Sequence, residues 1–479
     1  MSSDDPIGRL GATLAERGFT EAGLAGALAG LAPDTAEALR AAHAPGDEGL
    51  APLVELFVFG VPVRVDAVAR ALAPLPISNL EDEGLVREHR GLLTTPLRIT
   101  PWAGFLLVHD PWGEAPLAGD YVGGPNEAAE TLTHLTVRRP IDAALDLGTG
   151  CGLQALLASR HARRVVATDV NGRALAITKM NARLNGVTNV ECVEGDLFEP
   201  VAGERFDLVV ANPPYVISPD ADLLFRDSGL SPGELCGRIA SEAPAHLNEG
   251  GFACMLANWG TGSADDRWDA PRSWARESGC DACALSYGPE APLAYAARWS
   301  EPPASADAEA HAAAVRRWLD FYERAGIESI WFGGLVLRRR ERHNWFISVD
   351  LTSEGAGSGS DQLVRIFEAN DVLETAGDLG GLRFEALPGT RLTHVLEHRE
   401  DGFFLDEASV TLAEGIGVVA PVEPLAVHIL VALDGRRTLG EVVQDVAAQR
   451  GLDHASLAAR SFDAVRQLYG LGFLALSAG

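Results

Sequence analysis

Residues 146–152 read Asp146-Leu147-Gly148-Thr149-Gly150-Cys151-Gly152. They follow an apolar run, Ile141 to Leu147, and precede a helical pattern, Leu153 to Ser159. Glycines between a strand and a helix let the backbone approach a ligand closely. A dinucleotide fingerprint would place glycine at position 153, where Leu153 stands, so no pyrophosphate cradle is indicated. Outward from this turn, Arg164 to Asp169, Val190 to Gly195, Phe206 to Ala211 and Gly251 to Ala257 read as strands. Ala174 to Asn185 and Pro232 to His246 read as helices between them. The alternation predicts an α/β, doubly wound, mostly parallel sheet. Ligands of such sheets bind beyond the carboxyl ends of the strands.

Three further strand ends carry candidate chemistry. Asp169 lies 21 residues after Gly148 and ends the second strand. A carboxylate there suits two ribose hydroxyls. Asp196, in Glu194-Gly195-Asp196-Leu197-Phe198, can accept from an adenine amino group. A glycine turn and two spaced acids describe an adenosine ligand without a diphosphate; singly, each acid would read as a helix cap. Asn212-Pro213-Pro214-Tyr215 then ends the fourth strand. Two prolines remove amide donors and leave carbonyl acceptors. The Asn212 side-chain oxygen and the Pro213 carbonyl could each take one hydrogen from a planar NH₂ group, with Tyr215 stacked on it. That is catalysis by positioning. The plainer reading of Asn-Pro-Pro is a turn.

In this order the motifs resemble a class I S-adenosylmethionine-dependent methyltransferase, of the Asn-Pro-Pro-Tyr type that transfers to nitrogen. Within that class the chain is similar to the release-factor glutamine methyltransferases. The resemblance includes Asn181-Ala182-Arg183-Leu184-Asn185-Gly186 and Gly195-Asp196-Leu197-Phe198-Glu199-Pro200, and covers about 120 to 260. It implies a Rossmann-like sheet of seven strands and S-adenosyl-L-methionine as cofactor, leaving S-adenosylhomocysteine. It implies Asp146, Gly148, Thr149 and Gly150 at the methionine part of the cofactor, Asp169, Val170 and Asn171 at the ribose, and Asp196 and Leu197 near the adenine. Asn212 would touch both cofactor and acceptor, and Pro213, Pro214 and Tyr215 complete the acceptor side. Gly124-Pro125-Asn126-Glu127-Ala128-Ala129-Glu130-Thr131 stands in place of the family's Pro-Arg-x-Glu-Thr segment, without its arginine.

The rest of the chain frames this centre. Of 39 basic residues among 479, only Lys179 is lysine, and no Gly-Lys-Ser/Thr P-loop exists. The formal charge is -28, which disfavours a protein that wraps nucleic acid. No run of 18 apolar residues predicts a membrane span. The polar stretch Met1 to Pro6 is unlike a signal peptide, and six dispersed cysteines fit a reducing cytoplasm. Residues 1–118 read as a mainly helical, winged-helix-like accessory domain, with Leu24, Leu28 and Leu31 at helical spacing. Eight arginines against 17 acids up to Asp120 speak against DNA binding there. Residues 119–352 read as the catalytic domain, with a tryptophan-rich insertion over about 259–331 that could form a lid. Ser353 to Ser360 reads as a linker. Residues 353–479 read as an α+β C-terminal domain: a hairpin turning at Glu400-Asp401-Gly402, then a winged-helix-like unit.

Three motifs are set aside. Cys280-Asp281-Ala282-Cys283 is a single pair without the second pair a structural zinc site uses. His394-Val395-Leu396-Glu397-His398 matches an inverted zinc-protease pattern, but in a strand its histidines stand about 13 Å apart. Arg338-Arg339-Arg340-Glu341-Arg342-His343 reads as a solvated strand end, with RNA contact as the alternative. The expected acceptor is a protein side-chain amide of the glutamine type; a nucleobase or a small natural-product amine stands as the alternative. No membrane partner is expected, and the terminal domains are expected to mediate dimerisation or substrate docking. A reading of another class is a cofactor-sensing binding module.

Overall fold

A computed structural model describes residues 5–28, 49–112, 119–220, 232–300, 308–351, 355, 357–399 and 402–477. Outside these lie Met1 to Asp4 of the polar N-terminus, Leu31, residues 353, 354 and 356 of the expected linker, and the Glu400-Asp401 turn. The N-terminal region contains α1 (Pro6–Glu16), α2 (Glu21–Leu28), α3 (Ala51–Phe57), β1 (Val63–Arg64), α4 (Val65–Leu72), α5 (Ile77–Asp82), β2 (Arg87–His89) and β3 (Leu92–Thr94). The strands form a small antiparallel sheet in the order β1-β3-β2. Ile7, Leu10, Leu14, Leu53, Phe57, Val68, Leu72 and Leu80 fill its core. A second hairpin, β4 (Arg98–Trp102) and β5 (Phe105–His109), follows. Sequence pattern does not announce this hairpin, because Pro101 interrupts its first strand; proline is tolerated there because the two-stranded ribbon leaves β4 an edge.

The centre is built from α6 (Glu127–Leu135), β6 (Ile141–Leu147), α7 (Leu153–Ala158), β7 (Ala162–Asp169), α8 (Gly172–Leu184), β8 (Val190–Glu194), β9 (Phe206–Ala211), α9 (Glu234–Glu242), β10 (Leu247–Thr261), α10 (Asp269–Ser278), β11 (Asp281–Glu290), α11 (Pro292–Trp299), α12 (Ala308–Ala325), β12 (Ser329–Arg338) and β13 (Phe346–Asp350). Its sheet runs β13-β11-β12-β10-β9-β6-β7-β8, and only β12 is antiparallel to its neighbours. Eight strands replace the expected seven, because Phe346 to Asp350 adds to the β11 edge. The tryptophan-rich stretch is not one insertion. It supplies the sheet strand β11, and its tryptophans divide between two cores. Trp259, Trp274 and Trp331 pack under α9 and α10, while Trp318 packs inside the α11–α12 hairpin.

The C-terminal part comprises α13 (Ser360–Thr375), β14 (Phe384–Ala386), β15 (Thr390–Arg399), β16 (Gly402–Leu412), β17 (Ala420–Val422), α14 (Pro424–Ala432), α15 (Leu439–Arg450), α16 (His454–Gly470) and β18 (Leu474–Leu476). Helix α13 lies on the central sheet, with Phe367 edge-on to Phe252 at 5.2 Å and one core continuous across both. Around Gly357 to Ser360 the chain is bound down. Gly359 N–H donates to the His134 carbonyl at 3.0 Å, and Arg138 N–H donates to Ser360 Oγ at 2.7 Å.

The basic run at 338–343 requires a correction. Arg338 is buried, not solvated, because β12 is an interior strand paired on both sides. Its guanidinium donates to Asp281 Oδ2 at 2.6 Å and to Asp371 of α13, which Arg342 also contacts. Burying a charge is tolerated only when it is paired. The run therefore neutralises two carboxylates and ties α13 to the sheet. Cys280 and Cys283 are buried free thiols, and His394 and His398 lie on the extended strand β15. Among the described residues no helix is long and apolar enough to cross a membrane.

Candidate active site

The four sequence signals converge at the carboxyl ends of adjacent strands. Leu147 pairs with Ala211 and with Thr168, and Asp169 with Glu194. Gly148 and Asn212 thus leave neighbouring strands at one level, where chains run about 4.8 Å apart. Gly148 and Gly150 have φ of 71° and 56°, a region glycine enters without steric cost. A Cβ built on either would meet nothing within 4 Å, so the turn presents an open face. Gly152 is different: its Cβ would lie 2.7 Å from Thr178, so that glycine serves close packing on α8.

Asp146 and Thr149 lie beneath this turn, not on its open face. Thr149 Oγ1 donates to Asp146 Oδ2 at 2.6 Å and Ala155 N–H donates to the same oxygen at 2.9 Å. Burial pushes the Asp146 carboxyl up to about 6. Asp169 sits at the rim. Its Oδ2 accepts from Gly150 N–H and its Oδ1 from Asn171 N–H, both at 2.9 Å. Each oxygen retains a lone pair for a ligand hydroxyl. Burial raises the Asp169 pKa above the usual carboxylate range, against the pull of those amides.

Asn171 caps α8, accepting from Arg173 N–H at 3.0 Å, and donates to the Asp120 carbonyl at 3.0 Å. Val170 leaves an apolar side chain 51% exposed at the strand end. Asp196 is half-exposed and pairs with Arg238 at 3.3 Å through Oδ2. Leu197 holds φ of 45°, which is uncommon for a branched side chain and marks a strained turn.

On the acceptor side, the Asn212 side chain has no hydrogen-bond partner among the described residues and is only partly buried. Pro213 is buried and Pro214 partly so. The Tyr215 ring lies 6.0 Å from Phe332, which stacks in turn on Tyr287 at 5.7 Å. Burial raises the pKa of the Tyr215 hydroxyl. Asn126, from the segment that lacks the family's arginine, caps α6 by accepting from Ala129 N–H at 2.9 Å.

The structure adds residues that sequence reading did not single out. Asp110 takes a two-armed ion pair from Arg173, 2.5 Å at each oxygen, and accepts from Val122 N–H at 2.7 Å. This pins the chain around Tyr121 over the β7–α8 turn. No local signal joins positions 63 residues apart.

The Asn181…Asn185 motif also acquires a physical task. Val108 N–H donates to Asn181 Oδ1 and Asn181 Nδ2 to the Val108 carbonyl; Leu106 and Asn185 repeat the exchange. Four residues of helix advance about 6 Å, close to two residues of strand, so the two amides act as a mock strand for β5. Between them Arg183 reaches Asp5 and Glu83. At Gly11 a Cβ would lie 1.8 Å from the Leu184 carbonyl, so only glycine allows α1 this close to α8.

The region that carries these strand ends is similar to known methyltransferases. Residues 127–265 match the family model "Methyltransferase small domain", and residues 16–96 match "Domain of unknown function (DUF7059)". A release factor glutamine methyltransferase of Xylella fastidiosa is 36% identical over 150 residues, covering 29% of this chain and 53% of that protein. A ribosomal protein uL3 glutamine methyltransferase of Bradyrhizobium diazoefficiens is 34% identical over 154 residues, covering 29% and 47%. A putative protein N5-glutamine methyltransferase of Methanocaldococcus jannaschii is 36% identical over 128 residues, covering 25% and 64%. The chain spans about half the length of the curated relatives it matches.

Proposed function

We propose that this chain is an S-adenosylmethionine-dependent methyltransferase acting on the amide nitrogen of a protein side chain, of the glutamine type, in the cytoplasm. The observation that carries the reading is the pairing of an open-faced glycine turn with Asn212, whose side chain has no partner among the described residues, on the adjacent strand end. The site's own features fit the cofactor: open space over Gly148 and Gly150, spare lone pairs on Asp169, and a bare apolar Val170 at the rim. Relatives named for glutamine methylation support an amide acceptor.

When bound, S-adenosylmethionine supplies an electrophilic methyl group. Asp169 would hold the ribose hydroxyls, with Val170 and Asn171 beside them. Asp196 and Leu197 would face the adenine. The Asn212 oxygen and the Pro213 carbonyl would accept the two hydrogens of the acceptor amide and turn its nitrogen toward the methyl group. Pro214 fixes the backbone, and Tyr215 bounds the acceptor plane. The nitrogen gains the methyl group and then releases one proton to water, so no strong base is required. We read the terminal regions as winged-helix-like units that dock the protein substrate.

The test is a lysate of the source cell incubated with methyl-labelled S-adenosylmethionine, then fractionated. The expected result is label in protein, recovered as methylglutamine and lost with Asn212→Ala. Label in nucleic acid or in small molecules would overturn the protein acceptor but keep the transfer. Tight cofactor binding without label in any fraction would favour a cofactor-sensing binding module.

A further inference from the structure

We infer that the α11–α12 hairpin is a clamp that fixes the acceptor loop, with Tyr295 and Tyr322 as positioning residues; the catalytic half of this inference rests on the function proposed above. The chain from Asn212 to Asp220 has no regular secondary structure. Its three prolines, Pro213, Pro214 and Pro219, remove three of the amides by which a loop is normally pinned. Yet Val216 and Ile217 are buried. Buried backbone groups need partners, and here two phenols supply them. Ile217 N–H donates to Tyr295 Oη at 3.2 Å, and Tyr322 Oη donates to the Ile217 carbonyl at 2.8 Å. The pair replaces the neighbouring strand that Ile217 lacks.

The clamp is itself held at both ends. Asn258, buried on β10 beside Phe332, donates to Tyr295 Oη at 2.6 Å. On α12, one turn before Tyr322, Trp318 Nε1 donates to Asp220 Oδ2 at 3.0 Å, and Arg317 donates to Asp220 Oδ1 at 2.6 Å. One turn of helix therefore spans the four residues from Ile217 to Asp220. Tyr295, Trp318 and Tyr322 are each 1% exposed or less, so this contact is interior packing. Ile217 is two residues from Tyr215. A shift of the loop would move the Asn212 amide that has to meet the acceptor, and small misplacements cost rate steeply.

The test uses the full chain with Tyr295→Phe and Tyr322→Phe, which remove only the hydroxyls. Hydrogen–deuterium exchange over 212–220 reads the clamp without needing an acceptor. Expected is at least ~10-fold faster exchange at the Ile217 amide in Tyr295→Phe, with peptides over 141–152 unchanged. In the labelled-lysate assay, transfer should fall ~10–100-fold, while the S-adenosylmethionine Kd by calorimetry stays within ~2-fold. Unchanged exchange overturns the clamp. Faster exchange with undiminished transfer overturns the positioning role, as does an equal loss of cofactor affinity. If the wild-type chain transfers no label, the proposed function fails, and the exchange data still decide the clamp. Should Tyr295→Phe not fold, Asp220→Asn reads the same loop from its other anchor.

Discussion

The two halves of the proposed site are held by different means. The cofactor half is held by its own backbone: Gly148 and Thr149 amides bond Thr168, Gly150 bonds Asp169, and Asp146 gathers the turn from below. All these contacts fall within about twenty-five residues of chain. The acceptor half is held from far away, by Tyr295, Trp318 and Tyr322, which follow Asn212 by 83 to 110 residues. The proposed cofactor and acceptor halves meet along the β6–β9 seam.

Substitutions can break or sharpen that contrast. The largest effect is expected for Asn212→Ala: methyl transfer should fall about 10³-fold, the scale for losing one positioned polar group. Its cofactor affinity, read by calorimetry, should stay within about threefold; a parallel loss of affinity would erase the division between the halves.

Next comes Asp146→Asn, which acts on stability. The folded-state value, about 6, lies above the ordinary aspartate value of 3.8. The stability this group contributes is therefore fully present below 3.8 and lost as pH rises through 6. Two units correspond to about 3 kcal/mol. Asparagine keeps the oxygen that Thr149 and Ala155 use but has no charge to bury. The stability gap in favour of the variant, measured by urea unfolding, should widen by about 3 kcal/mol between pH 4 and pH 7. A gap independent of pH would disprove the assignment.

Asp169→Ala should weaken S-adenosylmethionine binding about 30-fold, or about 2 kcal/mol, by removing charge-assisted acceptors. An unaltered Kd would remove the ribose role. The smallest effect belongs to Gly148→Ala, which forces a left-handed φ on an L residue for about 1–2 kcal/mol. Because space over the turn is open, the protein should still fold. Affinity should drop about tenfold as the methyl group enters the cofactor's place, measured by calorimetry on the folded variant.

Much of the central sheet was legible in the sequence. Ile141 to Leu147 and Phe206 to Ala211 form strands with the bounds their apolar runs indicate, since both are interior strands buried on two faces. The edge strand β13 and the proline-containing β4 escaped, one for its exposed alternation and the other for Pro101. The arginine run departs from its expected solvent exposure for a related reason. Charge in a sequence suggests solvent, but Arg338 ends a strand with neighbours on both sides, and only the fold brings Asp281 and Asp371 to meet it.

What the sequence determined by itself is the chemistry of short range: glycines where φ must be positive, acids where strands stop, prolines that strip a loop of donors. These follow from covalent geometry and from the fixed side on which a parallel sheet opens. What the tertiary structure decided is which distant groups hold that chemistry still. The Asn181 and Asn185 amides serving β5, Arg173 on Asp110, and the two tyrosine hydroxyls on Ile217 all satisfy buried polar groups across gaps of 63 to 105 residues. A backbone group must find a partner when it is buried, but nothing in the neighbouring sequence says who that partner will be.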